Sequence, residues 1–256
     1  FDEAISYFAV ETLYDSGNHR PPSSLQNPSY ASHWELDGTG TDAQKLTSGV
    51  INAQPPANPN ISSESILKNI NVGQPLPEPV PSLTSSGGVT TGVTGILGNA
   101  WSFDGVDDTA TGVPTGLPTG SQSRSVSAWV YFDAIDAGWN PIINWGTSSS
   151  GEKYFMALYQ NKLSTSQYGG GTDCYGSITI NTGSWYHLVV TYDQSNNQQN
   201  SYVNGVADFT SCSPSTPATT STEIMIARAA IPDQKYDQLL IYGDVLSQSE
   251  VTALYN

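Results

Sequence analysis

Along the second half of this chain, apolar positions alternate with polar ones, and turn residues break the alternation about every ten positions, the spacing of an all-β sandwich or barrel. Trp101 and Phe103 flank Ser102, the period of a strand with one buried face, and Asp104-Gly105 follows as a tight turn that glycine's tolerance of positive φ makes cheap. The same period predicts strands at 125–132, 141–145, 154–160, 162–167, 177–180, 186–193, 200–203, 206–210, 222–227 and 234–242. Asn204-Gly205 joins two of these as a type I′ hairpin turn. Helix is scarce and clearest at 247–255, where Ser247 and Glu250 stand at capping-box spacing and Val251, Leu254 and Tyr255 share one side; Ile66, Leu67, Ile70 and Val72 fit a single helical turn.

The first half is different. Residues 4–14 carry apolar side chains on both faces if extended, with Ile5, Tyr7, Phe8, Val10 and Leu13 the assembly candidates, and His19-Arg-Pro-Pro ends the segment. It packs on its own domain or is donated to a neighbour's sheet. Residues 32–36 alternate as a strand. Prolines at 55, 56, 59, 75, 77, 79 and 81 then mark a loop-like stretch.

Composition narrows the partners. The 256 residues carry a formal charge of −15 with eight Lys and Arg, so the surface repels phosphate backbones and anionic headgroups; nucleic acid is excluded as a natural partner. No apolar run is long enough to insert across a bilayer. Charged residues are only 12% of the chain, which leaves a surface of Ser, Thr, Asn, Gln and Gly, the composition of extracellular or cell-surface proteins. A start at Phe1 fits a mature chain whose leader has been removed. Cys174 and Cys212 either form a disulfide or stay as two buried thiols; a bridge would suit the same compartment. Asn60-Ile-Ser62 is a single glycosylation sequon.

Taken in order, Phe103-Asp-Gly-Val-Asp-Asp108, Ser127-Ala-Trp-Val130, Trp185-Tyr-His-Leu-Val-Val-Thr-Tyr-Asp193, Tyr202-Val-Asn-Gly205, Tyr236-Asp-Gln-Leu-Leu-Ile-Tyr242 and Leu246-Ser-Gln-Ser-Glu-Val251 resemble the laminin G-like domains of the concanavalin A-like lectin/glucanase superfamily. The resemblance covers 31–256, with 45–93 as an insertion and 1–30 as an N-terminal extension. It implies a jelly-roll sandwich of two antiparallel sheets, used in recognition or adhesion. It also implies calcium near one rim, at Asp107, Asp108 and Asp237. Adjacent aspartates on an extended chain point to opposite faces, so only one of Asp107 and Asp108 is expected to ligate; the alternative is that these carboxylates cap turns. Two departures weaken the metal carry-over: Ala227-Arg228 replaces the glycine that usually ends a strand there, and Gln238 replaces an acid.

Chemistry beyond binding finds little support. Glu35-Leu-Asp37 begins the glucanase pattern Glu-x-Asp-x-(x)-Glu, but Thr39 and Gly40 stand where the second glutamate belongs. No Gly-x-Ser-x-Gly elbow is present, and His19, His33 and His187 lie in unrelated contexts. The expected function is therefore non-catalytic recognition of a glycan or a cell-surface protein. Trp139, Tyr168 and Tyr175, in loop contexts, are the exposed contact candidates, whereas Trp101, Trp129 and Trp185 are expected in the core. The alternative is a filament subunit that pairs with copies of itself through residues 4–14, and deletion of that segment would then abolish assembly.

Overall fold

The computed structural model describes residues 83–113, 117–169, 173–220, 223–227 and 232–256, together with the backbone of 30–34. The proposed donor segment 4–14, with Ile5, Tyr7, Phe8, Val10 and Leu13, lies outside the described residues, as do Glu35, Asp37, Asn60 and the helical turn expected at 66–72.

Two antiparallel sheets face each other. The first runs β13 (Val206–Ala207), β12 (Gln198–Val203), β11 (Trp185–Asp193), β6 (Arg124–Phe132), β15 (Gln234–Tyr242), β4 (Asn99–Phe103) and β3 (Thr90–Thr94). An eighth strand, β1 (Tyr30–Trp34), pairs with 239–242 of β15, on the strand whose first residues 234–236 pair with β4. The second runs β10 (Cys174–Thr179), β9 (Lys162–Gln167), β8 (Lys153–Tyr159), β7 (Trp139–Gly146), β14 (Ile224–Ile226), β5 (Thr109–Gly112) and β2 (Thr84–Ser86). This is the jelly-roll sandwich implied by the sequence.

Strand alternation builds the core. Val126, Ala128, Val130 and Phe132 of β6 meet Ile143 and Trp145 of β7 and Tyr154, Met156 and Leu158 of β8 in one buried cluster with Trp101 and Phe103. Each large side chain so buried contributes roughly 1.5–3 kcal/mol of transfer free energy. Because β6 spends its even positions on the interior, Trp129 faces outward, and pairing of Trp185 with Tyr131 puts Trp185 on the same outer face. The expectation that both tryptophans are core residues is therefore corrected: both are half-buried, Trp129 against His187 and Tyr255, Trp185 edge-on to Tyr131.

The helix forms as expected. In α1 (Gln248–Tyr255) the capping box of Ser247 and Glu250 is complete, and Val251 packs with Val189, Tyr202, Leu240, Tyr242 and Leu246 on the outer face of the first sheet. Asn204 and Gly205 both take positive φ, +50° and +75°, as the hairpin requires. Three strands differ from expectation: β2, β3 and β5 are mostly Thr, Ser and Gly, with Val93 and Ala110 their only apolar residues, and lack the apolar alternation that flags a strand. Two of them occupy the end of the stretch read as an insertion, so residues 84–86 and 90–93 belong to the sandwich itself.

Candidate functional site

Three aromatic rings meet on the outer face of the second sheet. On β8 the even residues Tyr154, Met156 and Leu158 point inward, which turns Tyr159 outward beside Trp139, its ladder partner on β7. Tyr175 reaches the same place from β10, opposite Ser164. Ring centroids are 4.8 Å apart for Trp139 and Tyr159, 5.5 Å for Tyr159 and Tyr175, and 6.2 Å for Trp139 and Tyr175, with mutual tilts of 35–46°. Trp139 is 38% exposed and Tyr175 49%. The structure thus brings together two of the three residues expected to make contacts. Tyr168, also exposed, lies elsewhere: its amide bonds the Lys153 carbonyl at the opposite end of β8. Sequence reasoning missed Tyr159, although the alternation along 154–160 carried the signal.

The rings are held from both sides. Cys174, next to Tyr175, is bridged to Cys212, so the disulfide alternative is the one realised. Beyond Tyr175, the Ser177 and Ile178 amides both donate to Asp208 Oδ1 at 2.7 Å. The Tyr175 hydroxyl donates to Asp173 at 3.0 Å; partial burial, then that bond and the carboxylate's charge, push the phenol up. Beside Trp139, the buried Asn140 amide donates to the Asp136 and Gly138 carbonyls and accepts from the Asp136 amide. Anchors of this kind fix the ring geometry before any ligand arrives.

A second cluster lies where β4 turns into β5. Carboxylate oxygens of Asp104, Asp107 and Asp108 all fall within 4.8 Å of one another. The expectation that Asp107 and Asp108 point apart does not hold, because the chain is not extended here: Gly105, at φ +74°, bends it. Asp108 Oδ2 accepts from the Asp104 amide at 2.8 Å, whereas Oδ1 is buried with no hydrogen-bond partner among the described residues. Burial, followed by the charges of Asp104 and Asp107, raises the Asp108 pKa. Gly87 closes the site so tightly that a Cβ there would meet the Asp108 amide nitrogen at 2.6 Å and overlap the Asp107 carbonyl. Asp104, which sequence reasoning assigned to the turn, is the third member; the signal was its spacing to Asp107 and Asp108 around that turn.

Asp237 does not join them. It sits at the bulge of β15, level with the start of β4, and its Oδ2 accepts from the Ile96 and Leu97 amides, both at 2.9 Å. Burial pushes its carboxyl up to about 6, against the opposing pull of those two amides. Oδ2 thus caps the β3–β4 turn, at the other end of β4 from Asp104, as in the alternative reading, while Oδ1 is buried with no hydrogen-bond partner among the described residues.

A family model described as the concanavalin A-like lectin/glucanases superfamily matches residues 104–252, and the chain belongs to that superfamily. No curated protein matches the sequence. Among solved structures, the chain is similar to the binding domain of Paraclostridial Mosquitocidal Protein 1, at TM-score 0.58 and 16% identity over 69% of this chain. It spans only 47% of that domain, about half its length. It is similar too to domain 4 of AbnA, a GH43 extracellular arabinanase from Geobacillus stearothermophilus, in complex with arabinotriose, at TM-score 0.55 and 22% identity, covering 69% of this chain and 89% of that one. A third similar structure is the binding domain of Botulinum Neurotoxin DC in complex with SialylT, at TM-score 0.53 and 13% identity, covering 69% and 46%. At these identities the likeness establishes the fold.

Proposed function

We propose that this chain is an extracellular, non-catalytic recognition module that binds glycan at Trp139, Tyr159 and Tyr175. The observation that carries the reading is the exposed, anchored ring cluster: aromatic faces receive the apolar faces of sugar rings, and the neighbouring Asp173 offers an acceptor to their hydroxyls. The disulfide supports an oxidising compartment. The similar structures in complex with arabinotriose or SialylT support a sugar as ligand. Trp139→Ala and Tyr175→Ala are each expected to weaken binding on an immobilised oligosaccharide panel about tenfold while leaving the melting temperature in place. Full binding by both variants would sink the assignment.

Calcium belongs to the same reading. Asp104, Asp107 and Asp108 supply hard oxygen ligands, and the orphaned Asp108 Oδ1 is a buried acceptor lacking a partner among the described residues, so the donor set fits the ion. When bound, the ion would offset most of the repulsion among three crowded carboxylates and stiffen the turn between β4 and β5. Calcium is expected to raise the melting temperature by several degrees in the native chain and not in Asp108→Asn. An equal rise in both would remove Asp108 from the site.

A further inference from the structure

We infer that the aromatic site takes the terminal residue of an uncharged glycan; this rests on the assignment of Trp139, Tyr159 and Tyr175 as a sugar site. All three centroid separations lie between 4.8 and 6.2 Å, so the rings form a compact triangle and not a row. Such a triangle has the footprint of one sugar ring. A chain bound along its length needs platforms spaced from residue to residue, roughly coplanar with one another. Here the planes tilt by 35–46°, so the three rings do not make one continuous flat platform. A footprint of one residue gains nothing from the rest of a chain, and a chain end reaches it with a neighbouring residue on one side only.

Charge selects against acidic ligands as well. Asp173 receives the Tyr175 hydroxyl on one oxygen, and its other oxygen, like the first, can only accept a hydrogen bond when ionised. A sugar hydroxyl can donate to it; a carboxylate on the ligand would face a like charge. The segments that carry the rings add Asp136, and against these two acids stands Lys162, across the ladder from Tyr159. The whole chain adds a field of −15. Anionic termini such as sialic or uronic acids are thus disfavoured locally and at long range, and salt relieves only the long-range part.

The test uses the full chain against immobilised oligosaccharides in matched sets: a neutral terminus, the same glycan ending in sialic or uronic acid, and the same neutral terminus on a longer chain. A neutral terminus is expected to bind, its acidic counterpart to bind roughly tenfold more weakly, and lengthening the chain to leave affinity unchanged. Asp173→Asn, half-buried and outside the core, is expected to narrow the gap between neutral and acidic termini. Equal or tighter binding of acidic termini overturns the charge argument, and affinity that keeps rising with chain length overturns the end-on geometry. Either result would leave the sugar site standing, provided that Trp139→Ala still loses binding. If no oligosaccharide binds, or if Trp139→Ala binds like the native chain, the underlying assignment fails instead.

Discussion

At the scale of single residues, the least expected feature is a fully buried cation. Arg124 opens β6 facing the interior, where its guanidinium lies 5.6–5.8 Å from the rings of Trp145, Tyr154 and Tyr192. No carboxylate is paired with it among the described residues; it donates instead to the Gln122 and Gly120 carbonyls and the Thr219 hydroxyl. Burial pulls it down to about 10, so it stays charged at neutral pH. Its three ring faces and three acceptors offset the desolvation cost, and the acceptors tie the 119–122 turn to Thr219. Arg124→Met keeps the volume but orphans three acceptors, and is expected to cost about 3 kcal/mol in urea unfolding. A loss near zero would show that water takes over those acceptors. Both residues that depart from the family pattern, Ala227 and Gln238, adopt left-handed φ, +54° and +46°. At Ala227 the chain thus takes a bend that glycine would adopt without strain.

At the scale of elements, helix α1 and the outer face of the first sheet form a unit around His187. Its Nε2 pairs with the Ser127 hydroxyl at 2.8 Å, while Nδ1 has no partner among the described residues. Trp129 lies 5.2 Å from the imidazole and Tyr255, the last helical residue, 6.2 Å. Complete burial lowers the imidazole pKa from 6.5 to about 3. The folded state therefore refuses a proton that the unfolded chain accepts. The stability this gives is fully present above pH 6.5 and is lost as pH falls towards 3, by about 3 kcal/mol between pH 7.5 and 4.5. Asp237, pushed up to about 6, works in the opposite sense over part of that range, so the comparison must be with a variant. His187→Gln is expected to show a flatter urea-unfolding profile over the same interval; parallel profiles would mean that His187 does not titrate differently on folding. Elements like α1 and β15 were legible because their signals are local: a capping box, and β-branched and aromatic residues on alternate positions. Strands β2, β3 and β5 were not. Their Thr, Ser and Gly residues sit at one side of the sandwich, β2 and β3 on its edges, where little apolar area is buried and the pattern has nothing to record.

At the scale of the whole molecule, two sheets must be held in register, and the seam at one side is closed by polar and covalent links. Cys174 lies on β10, the edge of the second sheet, and Cys212 is bridged by backbone bonds to Gln199 of β12 in the first. Thr165 on β9 bonds the Gln199 side chain across the same gap, and Asp208 reaches from beyond β13 to the β10 amides. The disulfide thus joins the sheets at the strand that presents Tyr175. Its two cysteines are 38 positions apart, which in the chain-entropy model makes the link worth about 4 kcal/mol, since the unfolded chain loses the corresponding loop freedom. The cysteine pair was legible in the sequence, but its meeting with Trp139 and Tyr159 was not, because that needs the order β10, β9, β8, β7 of a long-range sheet. This arrangement separates two consequences of one bond. Replacing both cysteines with serine is expected to lower unfolding stability by about 4 kcal/mol. At a temperature where the variant remains folded, glycan binding is expected to fall as well, because Tyr175 loses the covalent anchor at its neighbour Cys174 and keeps only the hydrogen bonds, its own to Asp173 and those of Asp208 to the Ser177 and Ile178 amides. A stability loss with unchanged affinity would show that Asp208 alone positions β10. Lost affinity at unchanged stability would instead place the disulfide's role in holding the ring, with the seam secured by Thr165, Gln199 and Asp208.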